Sequence, residues 1–241
     1  MSTVLVSSGD GVGWVRLNRP EKRNAIDSSM RGAIGDAFDA FERDTDVRVV
    51  VLTGMGPAFC AGVDLLDTPS LGSLDSKPLV APLDAFSKPV LVAINGPAVG
   101  GGLELVLGSD IRIASDTATF ALPEVRLGSL PGSGGTQRLS GAMAARLLFT
   151  GDPIDAHEAL RAGIISDVVA ADELLPLAER LASRVASNAP LSLQAAKLAL
   201  RAAPEARDLE RALWAFLSTT ADRQEGRDAF REKRAPDFKG S

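Results

Sequence analysis

The sequence predicts an α/β fold, and two patterns along the chain carry that prediction. Short apolar, β-branched runs, which are typical of buried strands, recur at 12–17, 47–52 and 89–94. Segments of helical period lie between them, so that strands and helices alternate. This alternation is characteristic of layered α/β architectures. At 241 residues, the chain is long enough for one large domain, or for one domain with a small appendage.

The first third of the chain predicts a hairpin, a helix and a strand. Apolar runs at 4–6 and 12–17 flank a turn-forming stretch and predict a β-hairpin. Ser28 is the predicted N-cap of a helix that reaches Arg43. Its apolar stripe consists of Met30, Ile34, Ala37, Phe38 and Phe41. A strand over 47–52 follows, and 66–79, rich in Ser, Asp, Pro and Gly, is predicted to be a mobile lid or binding loop.

The remaining elements end in a helical third. A strand at 89–94 leads through glycines to a short helix over 102–109, and strands follow at 111–114 and 117–122. Asp155 and Glu158 have the spacing of a capping box. A last strand is predicted at 164–169, followed by helices over 173–187, 192–203 and 208–230. We predict an α/β core over 1–185 and a helical C-terminal region over 186–241.

Composition excludes several classes of function. Hydrophobic residues make up 45% of the chain and charged residues 24%, as in ordinary globular proteins. The net charge of −5 gives no general attraction to nucleic acid or anionic membranes. A single cysteine excludes an intrachain disulfide and a cysteine-cluster metal site. No secretory leader and no membrane-spanning run is evident, so a cytoplasmic location is predicted.

The strongest candidate site combines Glu104 and Glu124 with glycines 100–102. A helix start carries free N–H groups and a partial positive charge, and glycine lets a ligand approach them closely. The predicted strands return the chain so that Glu124 can face Glu104 across a cleft. Two such carboxylates suffice for acid–base chemistry without a metal. The alternative is that Glu104 complements its helix dipole while Glu124 is a surface turn residue.

Other motifs have simpler explanations beside the functional ones. The glycine runs at 100–102 and 132–135 either bind phosphate or form tight turns, and neither fits a nucleotide-binding motif. Cys60 is a small packing residue or a nucleophile without a visible base, and His157 is structural. The basic C-terminus either reaches a phosphorylated ligand or is a solvated face. Its cations are Arg227, Arg231, Lys233, Arg234 and Lys239.

Five ordered segments together resemble the crotonase, or enoyl-CoA hydratase/isomerase, family. They are LNRPEKRNAI (17–26), VVVLTGMGPAFCAGVDL (49–65), KPVLVAINGPAVGGGLEL (88–105), the block 124–139 and DRQEGRDAFREKRAPDFK (222–239). The resemblance implies a spiral core of stacked ββα turns and C-terminal helices used for trimerisation, often as a dimer of trimers. It also implies an acyl-CoA thioester as substrate, with coenzyme A as part of the substrate and no separate cofactor or metal.

The resemblance also implies roles for individual residues. The backbone N–H groups of Ala61 and Gly101 would form an oxyanion hole for the thioester oxygen. Glu104 would help to activate water for attack at Cβ, and Glu124 would handle the proton at Cα. The substrate would be lined by Arg23, Ala25, Ala61, Gly62, Val63, Asp64, Leu65 and Gly101.

The reaction implied is the syn addition of water to a trans-2-enoyl-CoA, which gives a 3-hydroxyacyl-CoA. Isomerase members typically depend on the second glutamate alone, so the presence of Glu104 favours hydration. The alternatives are a Δ3,Δ2-enoyl-CoA isomerase, another family reaction such as hydrolysis, or a non-catalytic acyl-CoA-binding protein. The segment 66–79 is shorter than in many hydratases, which leaves the acyl-chain preference open.

Overall fold

The computed structural model describes residues 2–67, 78–202 and 207–241 and contains two β-sheets enclosed by helices. Nine strands lie within these residues. They are β1 (Val4–Gly9), β2 (Val12–Leu17), β3 (Val49–Gly54), β4 (Val90–Ile94), β5 (Ala98–Val99), β6 (Ile111–Ser115), β7 (Thr119–Ala121), β8 (Ile154–Asp155) and β9 (Asp167–Val169). The larger sheet has the order β1-β2-β3-β4-β6-β9, and the smaller has the order β5-β7-β8.

Nine α-helices belong to the same described residues. They are α1 (Ser28–Arg43), α2 (Ala81–Ala85), α3 (Gly101–Gly108), α4 (Gly141–Thr150), α5 (Ala156–Arg161), α6 (Leu174–Ala186), α7 (Pro190–Arg201), α8 (Arg207–Leu217) and α9 (Ala221–Glu232). None of the described helices has both the length and the apolar character needed to cross a bilayer.

Successive turns of the chain build both layers at once. β1 and β2 form the predicted antiparallel hairpin, and the other neighbours in the large sheet are parallel. After β4 the chain enters β5 of the second layer and then α3, and after β6 it enters β7. Single bridges, Ile26 to Val63 and Cys60 to Ala98, extend the second layer toward the earlier turns. This repetition is the stacked ββα arrangement that the resemblance implies.

Both faces of the large sheet are buried, which explains why its parallel strands are continuous apolar runs. The larger core cluster joins α1, α3 and α4 to one face. On the other face, α6 places a row of small residues, including Ala178 and Ala182, against Val49 and Val51 of β3. The five predicted stripe residues of α1 are all buried.

Several predicted boundaries are corrected. The N-cap of α1 is Asp27, whose side chain accepts a hydrogen bond from the Met30 N–H, and Ser28 is the first helical residue. The single helix predicted over 208–230 is two helices, because the Thr220 side chain caps a new start by accepting from the Arg223 N–H. The last strand is limited to Asp167–Val169. Most of the predicted lid, 68–77, lies outside the described residues, and the boundary at 185/186 stays a prediction.

Candidate active site

Helix α3 begins beside the segment that follows β3, and glycines make this approach possible. Gly62 has a φ of +94°, and a Cβ there would lie 2.8 Å from the Val99 carbonyl oxygen. The same Cβ would lie 3.5 Å from the Gly101 nitrogen, and a Cβ on Gly101 would lie 3.7 Å from the Val63 nitrogen. The backbone N–H groups of Val63 and Gly101 are therefore neighbours.

These two N–H groups are free to bind an oxygen atom. Gly101 is the first residue of α3, where an N–H has no intrahelical acceptor. Among the described residues, neither the Val63 N–H nor the Gly101 N–H has an acceptor. The helix N-terminus adds a partial positive charge. Two neighbouring donors of this kind suit an oxygen that gains negative charge during a reaction.

The expectation for Ala61 is corrected by its hydrogen bond. The Ala61 N–H donates to the Arg23 carbonyl oxygen at 2.9 Å, so it is not available to a ligand. The residue that presents an N–H beside Gly101 is Val63, two positions further along. The sequence motif locates the segment, but the choice of donor depends on the backbone turn at Gly62.

The other predicted substrate residues lie along one pair of segments. Residues 23–26 run parallel to 61–64 and are joined to them by successive backbone hydrogen bonds. Arg23 and Leu65 are exposed, whereas Ala25 is partly buried and its carbonyl oxygen accepts from the Arg19 guanidinium at 2.6 Å. Arg19 also contacts the Asp64 carboxylate at 3.2 Å. Hydrogen bonds from the Leu66 N–H and from Arg19 hold the pKa of Asp64 below its ordinary value.

Glu104 is buried, and the second glycine-rich loop holds its carboxylate in place. The side chain lies in the first turn of α3, and the residue is only 4% exposed. Its Oε1 accepts from the Ser133 N–H at 2.6 Å and from the Gly135 N–H at 3.0 Å. The Ser133 hydroxyl in turn accepts from the Leu79 N–H. The glycines at 132–135 therefore let a backbone loop wrap a carboxylate, a use that the sequence patterns did not indicate.

Glu124 approaches the same place from the other side. It follows β7 in a short 3-10 helix, Pro123–Leu127, and a Cβ on Gly100 would lie 3.0 Å from its Oε1. Its Oε2 is buried, and no hydrogen-bond partner for it occurs within the described part of the chain. Burial, and to a smaller extent the negative charge of Glu104, raise the pKa of Glu124. The two glutamates therefore do share one site, as the spacing predicts.

An unpartnered buried oxygen is costly, because burial removes the water that would otherwise bind it. Such atoms are rare in folded proteins, and they usually mark a place where a water or ligand binds. The Oε2 atom of Glu124 is thus available to bind a water or a ligand, and it lies near two free N–H donors and a second carboxylate.

Other sequence candidates lie outside this arrangement. Burial raises the pKa of Cys60 to about 12, and its Sγ lies 3.2 Å from the Asn24 carbonyl oxygen, so it is a packed thiol rather than a nucleophile. His157 is exposed on α5. In the basic C-terminus, Arg231 pairs with Asp228, and Arg234 pairs with Glu225 and Glu232.

Comparison with known proteins agrees with the fold and the motifs. The family model described as "Enoyl-CoA hydratase/isomerase" matches residues 7–241. The 2,3-dehydroadipyl-CoA hydratase of Escherichia coli K12 is 42% identical, with 100% of both chains covered. The (E)-benzylidenesuccinyl-CoA hydratase of Thauera aromatica is 41% identical over 99% of both chains.

Solved structures give the same result. The crystal structure titled as an enoyl-CoA hydratase subunit from Geobacillus kaustophilus has a TM-score of 0.91 at 37% identity, covering 99% of this chain and 98% of that one. An enoyl-CoA hydratase from Bacillus anthracis has a TM-score of 0.91 at 33% identity, with 99% of this chain and 100% of that chain covered. The α/β fold with stacked ββα turns is therefore confirmed, and the chain belongs to the enoyl-CoA hydratase/isomerase, or crotonase, family.

Proposed function

We propose that the protein is an enoyl-CoA hydratase that adds water syn across the double bond of a trans-2-enoyl-CoA to give a 3-hydroxyacyl-CoA. The observation that carries this proposal is the pairing of two carboxylates, the buried Glu104 and the partly buried Glu124, beside the two free N–H groups. Hydration needs a base for water, an acid for Cα and donors for the thioester oxygen, and this site has groups of each kind. No separate cofactor or metal takes part.

The thioester oxygen would accept hydrogen bonds from the Val63 and Gly101 N–H groups. Attack of water at Cβ moves electrons toward that oxygen, and donors placed before the reaction stabilise the charge without reorganising. One such donor typically lowers the barrier by about 3–4 kcal/mol. The start of α3 adds its positive end at the same point.

The two glutamates would divide the proton transfers. Glu104 takes a proton from water as the oxygen bonds to Cβ, and Glu124 delivers its own proton to Cα. The raised pKa of Glu124 keeps that proton on the carboxyl to higher pH than usual, which suits an acid. The proton held by Glu104 returns to Glu124 through solvent before the next turnover, so the net reaction consumes one water.

One observation favours a second candidate, a Δ3,Δ2-enoyl-CoA isomerase. The Glu104 Oε1 accepts hydrogen bonds from the Ser133 and Gly135 N–H groups, and a carboxylate with a purely structural role would accept the same bonds. In an isomerase, Glu124 alone would move a proton between two carbons of the acyl chain. The two candidates therefore differ in what they require of Glu104.

The test is a product screen with the wild-type protein and Glu104→Gln. The panel contains crotonyl-CoA, longer trans-2-enoyl-CoAs, a trans-3-enoyl-CoA and 2,3-dehydroadipyl-CoA, the substrate named for the relative from Escherichia coli. We expect the wild type to remove the enoyl-thioester absorbance and Glu104→Gln to be slower by about 10²-fold or more. Conversion of the 3-enoyl thioester at nearly the same rate by the wild type and by Glu104→Gln would instead establish the isomerase. Tight thioester binding without any product would indicate a binding protein.

We also propose that the chain assembles as a homotrimer, or as a dimer of trimers. Large apolar side chains on the C-terminal helices are left uncovered, with Leu200 85%, Trp214 68% and Phe230 86% exposed. Exposed apolar groups concentrated in one region typically mark an interface. Light scattering on the purified protein should give a mass of three or six times the 25.1 kDa of one chain. Trp214→Glu should lower the measured mass toward that of a single chain. A monomeric wild type at micromolar concentration would refute the assembly.

A cytoplasmic location belongs to the same proposal and is supported by the single cysteine of the chain, which is compatible with a reducing compartment. Cell fractionation of the full-length protein would test it, and recovery from a membrane or secreted fraction would contradict it.

A further inference from the structure

Asn24 is an unusual residue close to the thioester-binding amides. It is a polar side chain with no exposed surface, and its backbone is left-handed with a φ of 57°. Asparagine tolerates this conformation better than most residues other than glycine, because its short polar side chain forms local hydrogen bonds. A fully buried amide must also find partners for its oxygen and both hydrogens.

The Asn24 side chain finds those partners on the segment that leads to the active site. Its Nδ2 lies within hydrogen-bond distance of three carbonyl oxygens, those of Met55 at 3.0 Å, Ala58 at 2.9 Å and Phe59 at 3.1 Å. Its Oδ1 accepts from the Arg19 N–H at 2.9 Å. One side chain therefore fixes the turn between β3 and the segment that contains Val63.

The backbone of residues 24–26 is also joined to the segment that contains Val63. The Cys60 thiol lies 3.2 Å from the Asn24 carbonyl oxygen. Beyond it, the Ile26 N–H donates to the Gly62 carbonyl oxygen at 2.8 Å, and the Asp64 N–H donates to the Ile26 carbonyl oxygen at 2.9 Å. Gly62 and Asp64, the residues on both sides of Val63, are thus hydrogen-bonded to Ile26, which lies two positions after Asn24. The Val63 N–H takes part in none of these hydrogen bonds, and its nitrogen lies close to Gly101.

We propose that Asn24 is a positioning residue for the thioester-binding amides, because its hydrogen bonds to 55–59 and its backbone contact with Cys60 hold the Val63 N–H beside that of Gly101. The inference rests on the proposed function, in which these two amides bind the thioester oxygen. It differs from general loop support, because a displacement of about 1 Å in a reacting site costs about 10²-fold in rate. A loss of stability alone would leave the geometry of the surviving folded molecules unchanged.

The test uses Asn24→Gly and Asn24→Asp. Glycine keeps the left-handed backbone and removes all the side-chain hydrogen bonds. Aspartate keeps the size of the side chain and the acceptor for the Arg19 N–H, but loses the amide donors. Thr53→Val is the matched control, because the Thr53 hydroxyl is also buried and donates to a carbonyl oxygen, that of Ala93 at 2.7 Å, within the large sheet. Folding of each variant is checked by circular dichroism and thermal unfolding.

The decisive readout is spectroscopic and needs no turnover. A CoA thioester of an aryl-enoic acid with an electron-donating ring substituent absorbs at longer wavelength when hydrogen bonds polarise its carbonyl. We expect the wild type and Thr53→Val to give the full red shift, and Asn24→Gly to lose at least half of it. Turnover of an enoyl-CoA by Asn24→Gly should fall by about 10-fold to 10²-fold, in kcat more than in KM.

Each outcome bears on the inference separately from the proposed function. A folded Asn24→Gly protein with the full shift and normal kcat would overturn it. If that variant does not fold, Asn24→Asp decides. Its red shift should be reduced at neutral pH and should recover at low pH, where the carboxyl is protonated and can donate a hydrogen bond. A red shift that does not recover at low pH would refute the inference. A wild type that polarises the thioester but hydrates no substrate would remove the proposed function and leave the inference standing. A wild type with no shift would remove both.

Discussion

Replacement of Glu124 by glutamine is expected to lower kcat/KM for enoyl-CoA hydration by at least about 10²-fold. Glutamine has the size of glutamate but no acidic proton, so it cannot deliver a proton to Cα. The loss should appear mainly in kcat, because the N–H groups that bind the thioester are untouched. The fold should be unaffected, since Oε2 of Glu124 has no hydrogen-bond partner among the described residues.

The pH dependence of kcat in the wild type should report the protonation of Glu124. Burial, together with the charge of Glu104, raises the pKa of Glu124, so the carboxyl keeps its proton to higher pH than an exposed glutamate does. If the protonated form is the active one, kcat falls as pH rises through this raised pKa. Glu104→Gln removes a nearby negative charge, which lowers the pKa of Glu124 and should shift the falling limb of its residual activity to lower pH.

Glu173→Gln, at an exposed carboxylate before α6, is the matched control and should keep wild-type kinetics. Normal turnover by a folded Glu124→Gln protein would disprove the assignment of Glu124 as the acid. A falling limb that does not move in Glu104→Gln would show that the two carboxylates are not coupled in the working enzyme.

Much of the fold could be predicted because its signals are local. The β-branched run before Asn95 is buried on both faces of a parallel sheet, so it needs no polar alternation. The capping box of Asp155 and Glu158 satisfies backbone groups within one turn, and the structure contains both of its hydrogen bonds. Predictions failed where a competing local cap intervened, as at Thr220, which begins a new helix inside an otherwise continuous helical pattern.

The sequence located both carboxylates of the candidate site and one of its two N–H donors, that of Gly101, but not the other donor. Glu104 and Glu124 follow from the return of the chain after a short helix. The choice of Val63 over Ala61 depends on the left-handed turn at Gly62 and on a bond to Arg23, which is distant in sequence. No local pattern encodes such a contact.

The same limit applies to the loop around Glu104 and to Asn24. Ser133 and Gly135 reach the Glu104 carboxylate across about thirty residues. The three carbonyl oxygens near the Asn24 Nδ2 are also more than thirty residues away from it in sequence. Side chains that act through distant backbone groups leave no periodic signal. A polar residue in a motif with no obvious chemistry is their only trace in a single sequence.

Gly102→Ala is expected to lower the hydration activity strongly, although alanine favours helix formation. Replacing a helical glycine by alanine typically stabilises a helix by about 0.5–1 kcal/mol. Here, however, the new Cβ would lie 2.4 Å from the Cys60 carbonyl oxygen, and real Cβ contacts essentially never fall below 3.0 Å. Backbone must therefore move apart, and overpacking of this kind typically costs about 1–3 kcal/mol. The net effect on stability is thus expected to be unfavourable.

The new Cβ would push the start of α3 away from the Cys60 segment, and the two N–H donors lie on these two segments. The loss of activity should therefore exceed the loss of stability. Gly102 follows Gly101 in α3, and Cys60 precedes Val63 by three residues, so pushing them apart widens the gap that the thioester oxygen must bridge. We expect kcat/KM to fall by about 10²-fold in protein that is still folded. The measurement pairs urea unfolding with steady-state hydration kinetics.

Gly32→Ala is the matched control, because Gly32 lies inside α1 with a negative φ and no atom within 4 Å of a new Cβ. That variant should gain about 0.5–1 kcal/mol and keep full activity, since only helix propensity changes. Equal activity in both alanine variants would show that the close approach of α3 to the Cys60 segment is not needed for catalysis. Loss of activity in Gly102→Ala alone, with a reduced red shift of the bound aryl-enoyl thioester, would place the defect at the two amides.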